Sequence, residues 1–135
     1  MRPKVLICDD EEVLRQLVRA SLARSDYDIV EACDGDEAVT SADAERPQLI
    51  ILDMMMPRRT GLEVLEHIRA DPDLAATPVI MLTARTQKDD RDAADQTGAT
   101  LFLAKPFSPT DLAFLVARTL AAQASSPRVV EPTTA

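Results

Sequence analysis

Five short runs of β-branched and aliphatic residues, each separated from the next by a helix-like segment, constrain this chain more than any other feature. The runs are Val5–Cys8, Asp28–Ala32, Leu49–Leu52, Val79–Leu82 and Thr100–Ala104. Three of the five are apolar almost throughout, the pattern of strands covered on both faces in a parallel sheet. Between the first two, Glu12 to Arg24 sets Val13, Leu14, Leu17, Val18 and Leu22 on one stripe at helical spacing. Weaker stripes follow at Ala38, Val39 and Ala42 and at Leu62, Leu65 and Ile68, while Leu112, Leu115, Val116 and Leu120 mark a final helix. The segment from Lys88 to Gln96 has only Ala93 and Ala94 as apolar groups, so as a fourth helix it would bury little and be loosely held. Strands alternating with helices mean βαβ units and an α/β fold.

The punctuation agrees with that division. Pro47, Pro57, Pro78 and Pro106 flank strands, Ser108-Pro109 reads as a cap followed by a first-turn proline, and Gly35, Gly61 and Gly98 fall between elements. From about residue 124 the chain turns polar and proline-bearing, which predicts one domain over 1–123 and a flexible tail or linker stub over 124–135. With 135 residues and 46% apolar content, a single packed core is expected. The 15 basic and 23 acidic side chains give a net charge of −8 with no basic cluster, so direct nucleic-acid binding is not expected. No apolar run approaches the roughly 20 residues that span a bilayer, so the expectation is a cytoplasmic protein without membrane insertion. Cys8 and Cys33 lie in or beside apolar stretches, outside any metal-binding or redox spacing, and are expected to be reduced and buried. His67, alone on a charged helix face, is expected to be solvated.

Ligands of parallel α/β sheets bind outside the carboxyl ends of the strands. Here the first strand ends in Asp9-Asp10, the third in Asp53, the fourth in Thr83 and the fifth in Lys105. Three converging carboxylates repel by several kcal/mol per pair at an effective dielectric near 20, a penalty that a divalent cation removes. Oxygen donors without imidazole or thiolate suit Mg2+, or Mn2+, rather than zinc or copper. A carboxylate facing a cation, an ammonium and a hydroxyl is equipped to attack phosphorus. Asp53 is then the candidate nucleophile, Lys105 neutralises equatorial oxygens, and Thr83 donates a hydrogen bond to one of them. Each group alone also has an ordinary reading. Asp9 and Asp10 could cap the first helix, Asp53 could serve a turn before Pro57, and Lys105 could be a solvated cation. The coincidence of all five at successive strand ends favours the site. Met54 to Met56 fit as filling beneath the third strand.

At these residues the chain resembles the receiver domains of two-component response regulators. The likeness rests on Val5-Leu6-Ile7-Cys8-Asp9-Asp10, on Asp53-Met54-Met55-Met56-Pro57 with Gly61 after it, on Met81-Leu82-Thr83-Ala84, and on Lys105-Pro106-Phe107. It covers about Lys4 to Ala122. It implies a flavodoxin-like (βα)5 fold, with a five-stranded parallel sheet of order 2-1-3-4-5 and helices on both faces. It further implies that Asp53 accepts a phosphoryl group, that Asp10 binds the metal directly and Asp9 through water, and that the backbone carbonyl of Met55 is a further metal ligand. Thr83 and Phe102 match the family's switch pair, and Lys105 its phosphate-binding lysine, whose bond to Pro106 is cis. The implied partners are a sensor histidine kinase or histidine phosphotransfer protein, and a downstream protein or a second copy. The latter would bind through the face of the fourth helix, fifth strand and final helix.

Departures from the family pattern refine the expectation. The positions two residues after the acceptor and after the switch threonine, which tune the phosphoryl lifetime, are Met55 and Arg85. Met55 cannot hydrogen-bond an attacking water, so slow self-dephosphorylation is expected. Phe102 stands where tyrosine is common, and Thr60 where an acid is frequent. Phe114, opposite the final helix's apolar stripe, is expected to be exposed near Arg118 on the partner face. Two rivals stand beside this reading: a phosphorylation-independent interaction module, and the receiver half of a longer regulator. A phosphohydrolase of the haloacid dehalogenase type fails on motif order, because it places its Asp-x-Asp nucleophile motif on the first strand, whereas here the second residue after Asp53 is Met55 and leaves no matching acid/base.

Overall fold

Leu49, Ile50, Ile51 and Leu52 are fully buried, as an unbroken apolar run requires, and form the middle strand of a five-stranded parallel sheet. The computed structural model describes residues 2–84, 92 and 98–125. Its strands are β1 (Lys4–Cys8), β2 (Asp28–Ala32), β3 (Leu49–Asp53), β4 (Val79–Ala84) and β5 (Leu101–Lys105). Its helices are α1 (Glu12–Ser21), α2 (Gly35–Glu45), α3 (Gly61–Ala70) and a C-terminal helix, Pro109–Ser125. The order β2-β1-β3-β4-β5 and the parallel pairing agree with the flavodoxin-like expectation.

Period-two alternation divides the core between the two sheet faces. Leu6, Ile50, Leu52 and Met81 pack with Val64, Leu65 and Ile68 of α3 and Ala38 and Ala42 of α2. Val5, Ile7, Ile51, Ile80 and Leu82 pack with Val18 of α1 and Leu112 and Val116 of the C-terminal helix. Each fully buried Leu or Ile contributes about 2 kcal/mol of transfer free energy. The register pairs Cys8 with Leu52, Asp53 with Leu82 and Ala84 with Lys105, so the carboxyl ends of four strands finish level at one edge.

Local chemistry sets the helix starts facing that edge. Asp34 caps α2 by accepting from the Glu37 N–H at 2.8 Å. Thr60 and Glu63 form a capping box on α3, worth about 1 kcal/mol. That is the role of Thr60 in the fold. Ser108 Oγ accepts from the Asp111 N–H at 3.3 Å, as the Ser-Pro pair suggested.

Several expectations need correction. The apolar stripe of α1 is only partly buried: Val18 is covered, whereas Val13 is 78% exposed, because 3.6 residues per turn place it about 140° around the helix from Val18. Helix α1 also stops at Ser21 rather than Arg24. Of the two cysteines Cys8 is buried but Cys33 is exposed, since it follows the end of β2. Met54 and Met56 fill the core, but Met55 is exposed. Strand β5 lies one residue later than expected and is only half-buried along its length, as befits an edge strand. The C-terminal helix runs through Ser125, past the Gln123 boundary. The remaining tail, the fourth helix expected over Lys88–Gln96 (Asp92 apart) and Arg85 lie outside the described residues.

Candidate functional site

The end of β1 is extended by one backbone bond, Asp9 N–H to the Ala32 carbonyl at 3.1 Å, which carries Asp9 beyond the strand. Its side chain turns back so that Oδ1 accepts from the Glu11 N–H at 2.9 Å. This bond ties Asp9 to the N-cap residue of α1 and not to a first-turn N–H, so the capping role considered for Asp9 is not the one it takes. Asp9 and Asp53 are buried and Asp10 is exposed, and each of the three offers a carboxylate oxygen within 4.8 Å of the others. Lys105 Nζ lies 3.0 Å from Asp53 Oδ1 and 3.4 Å from Asp9 Oδ2. The four ionic groups expected from the sequence thus meet at one edge.

The acceptor turn is held from several sides. The Met54 N–H donates to the Leu82 carbonyl at 3.0 Å, and the Gly61 N–H donates to the Met54 carbonyl at 2.9 Å. A Cβ on Gly61 would run into the Asp53 carbonyl, so glycine is what lets α3 start directly against the end of β3. The Met55 N–H donates to the Asp53 carboxylate. The Lys105–Pro106 bond is cis, as the family likeness implies.

Electrostatically the cluster is in deficit. Burial pushes Asp9 up to about 6, and the neighbouring Asp53 charge adds to that, against hydrogen bonding from Glu11 and attraction to Lys105. Burial likewise raises Asp53 above the ordinary aspartate range despite its contact with Lys105. Burial alone would lower Lys105, but the Asp53 and Asp9 carboxylates outweigh it and raise its pKa. Three carboxylates against one ammonium leave two negative charges uncompensated, the charge of one divalent cation. An all-oxygen donor set of this kind fits Mg2+ or Mn2+, with Asp9, Asp10 and Asp53 to hold it.

Thr83 is 2% exposed, and its buried Oγ1 has no hydrogen-bond partner among the described residues. Such a hydroxyl costs about 1–3 kcal/mol, which an incoming acceptor would return. Thr83 pairs with Ala104 and Met81 with Phe102, so alternation puts Thr83 and Phe102 on one sheet face, on adjacent strands. Phe102 is half-buried against the core on the α2 and α3 side. On the C-terminal helix Phe114 is 61% exposed and Arg118 is exposed, as helical geometry required. His67 differs from expectation: instead of being simply solvated, its Nε2 lies 3.0 Å from Asp43 Oδ1 across the α2–α3 contact.

Residues 5–117 match the family model of the response regulator receiver domain. The chain is 39% identical over 112 residues to the alkaline phosphatase synthesis transcriptional regulatory protein PhoP of Bacillus subtilis, covering 83% of this chain and 46% of that protein. It is 37% identical over 112 residues to the phosphate regulon transcriptional regulatory protein PhoB of Escherichia coli, covering 83% and 49%. The chain thus spans about half the length of the curated relatives it matches. Among solved structures, the chemotaxis response regulator CheY4 of Vibrio cholerae superposes with a TM-score of 0.82 at 35% identity, covering 88% of this chain and 99% of that one.

Proposed function

The chain belongs to the response regulator receiver domain family, and on that premise we propose that it is a phosphorylation-driven switch whose acceptor is Asp53. The observation that carries this reading is the convergence of Asp53, Lys105, Asp9 and Asp10 beside a buried Thr83 hydroxyl that has no partner among the described residues. A carboxylate oxygen of Asp53 attacks the phosphorus of a phosphohistidine. The new O–P bond forms as the P–N bond breaks, and the departing imidazole nitrogen takes up a proton. The histidine belongs to a sensor kinase or histidine phosphotransfer protein. Lys105 neutralises one phosphoryl oxygen, and Thr83 swings its hydroxyl to another. Asp9, Asp10, Asp53 and the Met55 carbonyl would hold Mg2+, which when bound would supply the charge neutralisation that the carboxylates lack.

Drawing Thr83 toward the phosphoryl group vacates space on the face it shares with Phe102, and the ring turns into it. The event is read by a protein partner or a second copy at the face that includes β5, Phe114 and Arg118. None of the described helices is long and apolar enough to cross a membrane, which accords with a cytoplasmic place of action. Similarity to transcriptional regulators about twice its length favours a second reading, in which the domain is the input half of such a regulator.

Transfer from a radiolabelled phosphohistidine protein tests the assignment. The label should move to the wild type and not to Asp53→Asn, and hydroxylamine should release it, as it does an acyl phosphate. Label arriving equally on Asp53→Asn would remove Asp53 from the role. No transfer from any histidine donor would favour the interaction-module reading.

A further inference from the structure

Arg15 is a partly buried cation that phosphoryl transfer does not use. Its side chain is 15% exposed, and its Nη1 donates to the backbone carbonyl of Asp9 at 2.8 Å. Its Nε donates to Glu31 Oε1 at 3.0 Å, while Arg19 Nε donates to Glu31 Oε2, also at 3.0 Å. Glu31 sits on β2 opposite Ile7 of β1, and the next residue, Ala32, accepts the Asp9 N–H. The peptide groups on both sides of Asp9 are therefore fixed to the β2 side of the fold.

That attachment bears on the candidate cation site. Asp9, Asp10 and Asp53 repel one another when no cation is bound, and the Asp9–Asp10 turn is the part of the triad that lies beyond a strand end. A tether to the side-chain carboxylates would compete with a cation for the same oxygens. Arg15 holds the main chain instead, and so takes none of the carboxylate oxygens itself. Glu31 matters twice: it orients the guanidinium, and it neutralises a charge that would otherwise be drawn to the carboxylates. Partial burial pushes Glu31 upward, but the hydrogen bonds from Arg19 and Arg15 outweigh it and hold it below the ordinary carboxylate range. The guanidinium holds two donors in one rigid plane, Nη1 on the Asp9 carbonyl and Nε on Glu31, a spread that the single rotating ammonium of a lysine does not reproduce.

We propose that Arg15, oriented by Glu31, is a positioning residue that keeps the Asp9–Asp10 turn in its cation-ready shape. The proposal rests on the reading of Asp9, Asp10 and Asp53 as a Mg2+ site. Outer-shell partners of this kind change metal affinity by about 10-fold or more when removed.

Calorimetric titration with Mg2+, well below the melting temperature of each protein, compares wild type with Arg15→Met, Arg15→Lys, Glu31→Gln and Arg15→Met/Glu31→Gln. Arg15→Lys keeps the charge and the aliphatic stem, and so guards against a variant that fails to fold. The expected result is Mg2+ binding weakened about 10-fold in each single variant, including Arg15→Lys, with the double variant no weaker than Arg15→Met. Exchange of the Glu11 amide, bonded to Asp9 Oδ1, should quicken in metal-free Arg15→Lys. A lower melting temperature with Mg2+ affinity within about twofold of wild type would make Arg15 merely structural and overturn the proposal. A wild type that binds no Mg2+ would overturn the cation reading itself, and this role with it.

Discussion

Replacing Asp9 by asparagine should stabilise the metal-free protein. Asp9 is wholly buried, and its pKa lies at about 6 against 3.8 in the unfolded chain, with burial the main cause. Between those values the folded state holds a proton that the unfolded state has released. Stability therefore falls as pH rises through that window, and the loss is complete above it. About two pH units at 1.36 kcal/mol each set the cost at about 3 kcal/mol at neutral pH. Asparagine mimics the protonated side chain, and its Oδ1 can still accept from the Glu11 N–H. In the presence of a chelator at pH 7.5, Asp9→Asn should melt about 10 °C above wild type. The gap should shrink toward zero as the pH is lowered to about 4. Urea melts at several pH values provide the assay, and the difference between the two proteins isolates this group from others that titrate. Mg2+ should then raise wild type more than the variant. A variant less stable than wild type at pH 7.5, or a gap that does not change with pH, would refute the electrostatic account of the cluster.

Other substitutions probe separate parts of the site. Gly61→Ala drives a methyl into the Asp53 carbonyl, and should cost about 1–3 kcal/mol in a chemical melt while slowing phosphorylation through a displaced acceptor turn. Thr83→Ala removes a buried hydroxyl that has no partner among the described residues, so its melt should match or exceed that of wild type even as the response of Phe102 to a beryllofluoride adduct is lost. Met55 is exposed beside the acceptor, and Met55→Asn should shorten the lifetime of the phosphorylated form by placing an amide within reach of an attacking water. An unchanged decay rate would remove Met55 from that role.

The fold was legible because the apolar runs Leu49–Leu52 and Val79–Leu82 have one comfortable environment, the middle of a sheet covered on both faces. The ionic cluster was legible for a related reason: strand ends in a parallel sheet are forced to one edge, so Asp9, Asp53, Thr83 and Lys105 could be brought together before their distances were known. What composition and spacing could not reveal were contacts made by side chains reaching across elements. Arg15 and Glu31 looked like ordinary members of a helix and a strand, yet they meet at 3.0 Å and fix the Asp9 peptide. His67 found Asp43, 24 residues away, through the packing of α2 on α3. Exposure was similarly hidden at Cys33, where one step past the strand end changes burial entirely. Thr60 carried a readable signal in Thr-x-x-Glu, the capping-box spacing, and that reading needed no structure.

The central claim is that Asp53 becomes phosphorylated with the help of a divalent cation and Lys105. Intact mass after incubation with acetyl phosphate tests it most directly, on wild type, Asp53→Asn and Lys105→Met, with and without Mg2+. The account predicts one added phosphoryl group on wild type with Mg2+, none on Asp53→Asn, none without the cation, and a much reduced fraction on Lys105→Met. An adduct that persists on Asp53→Asn, or that forms equally well in a chelator, would contradict it.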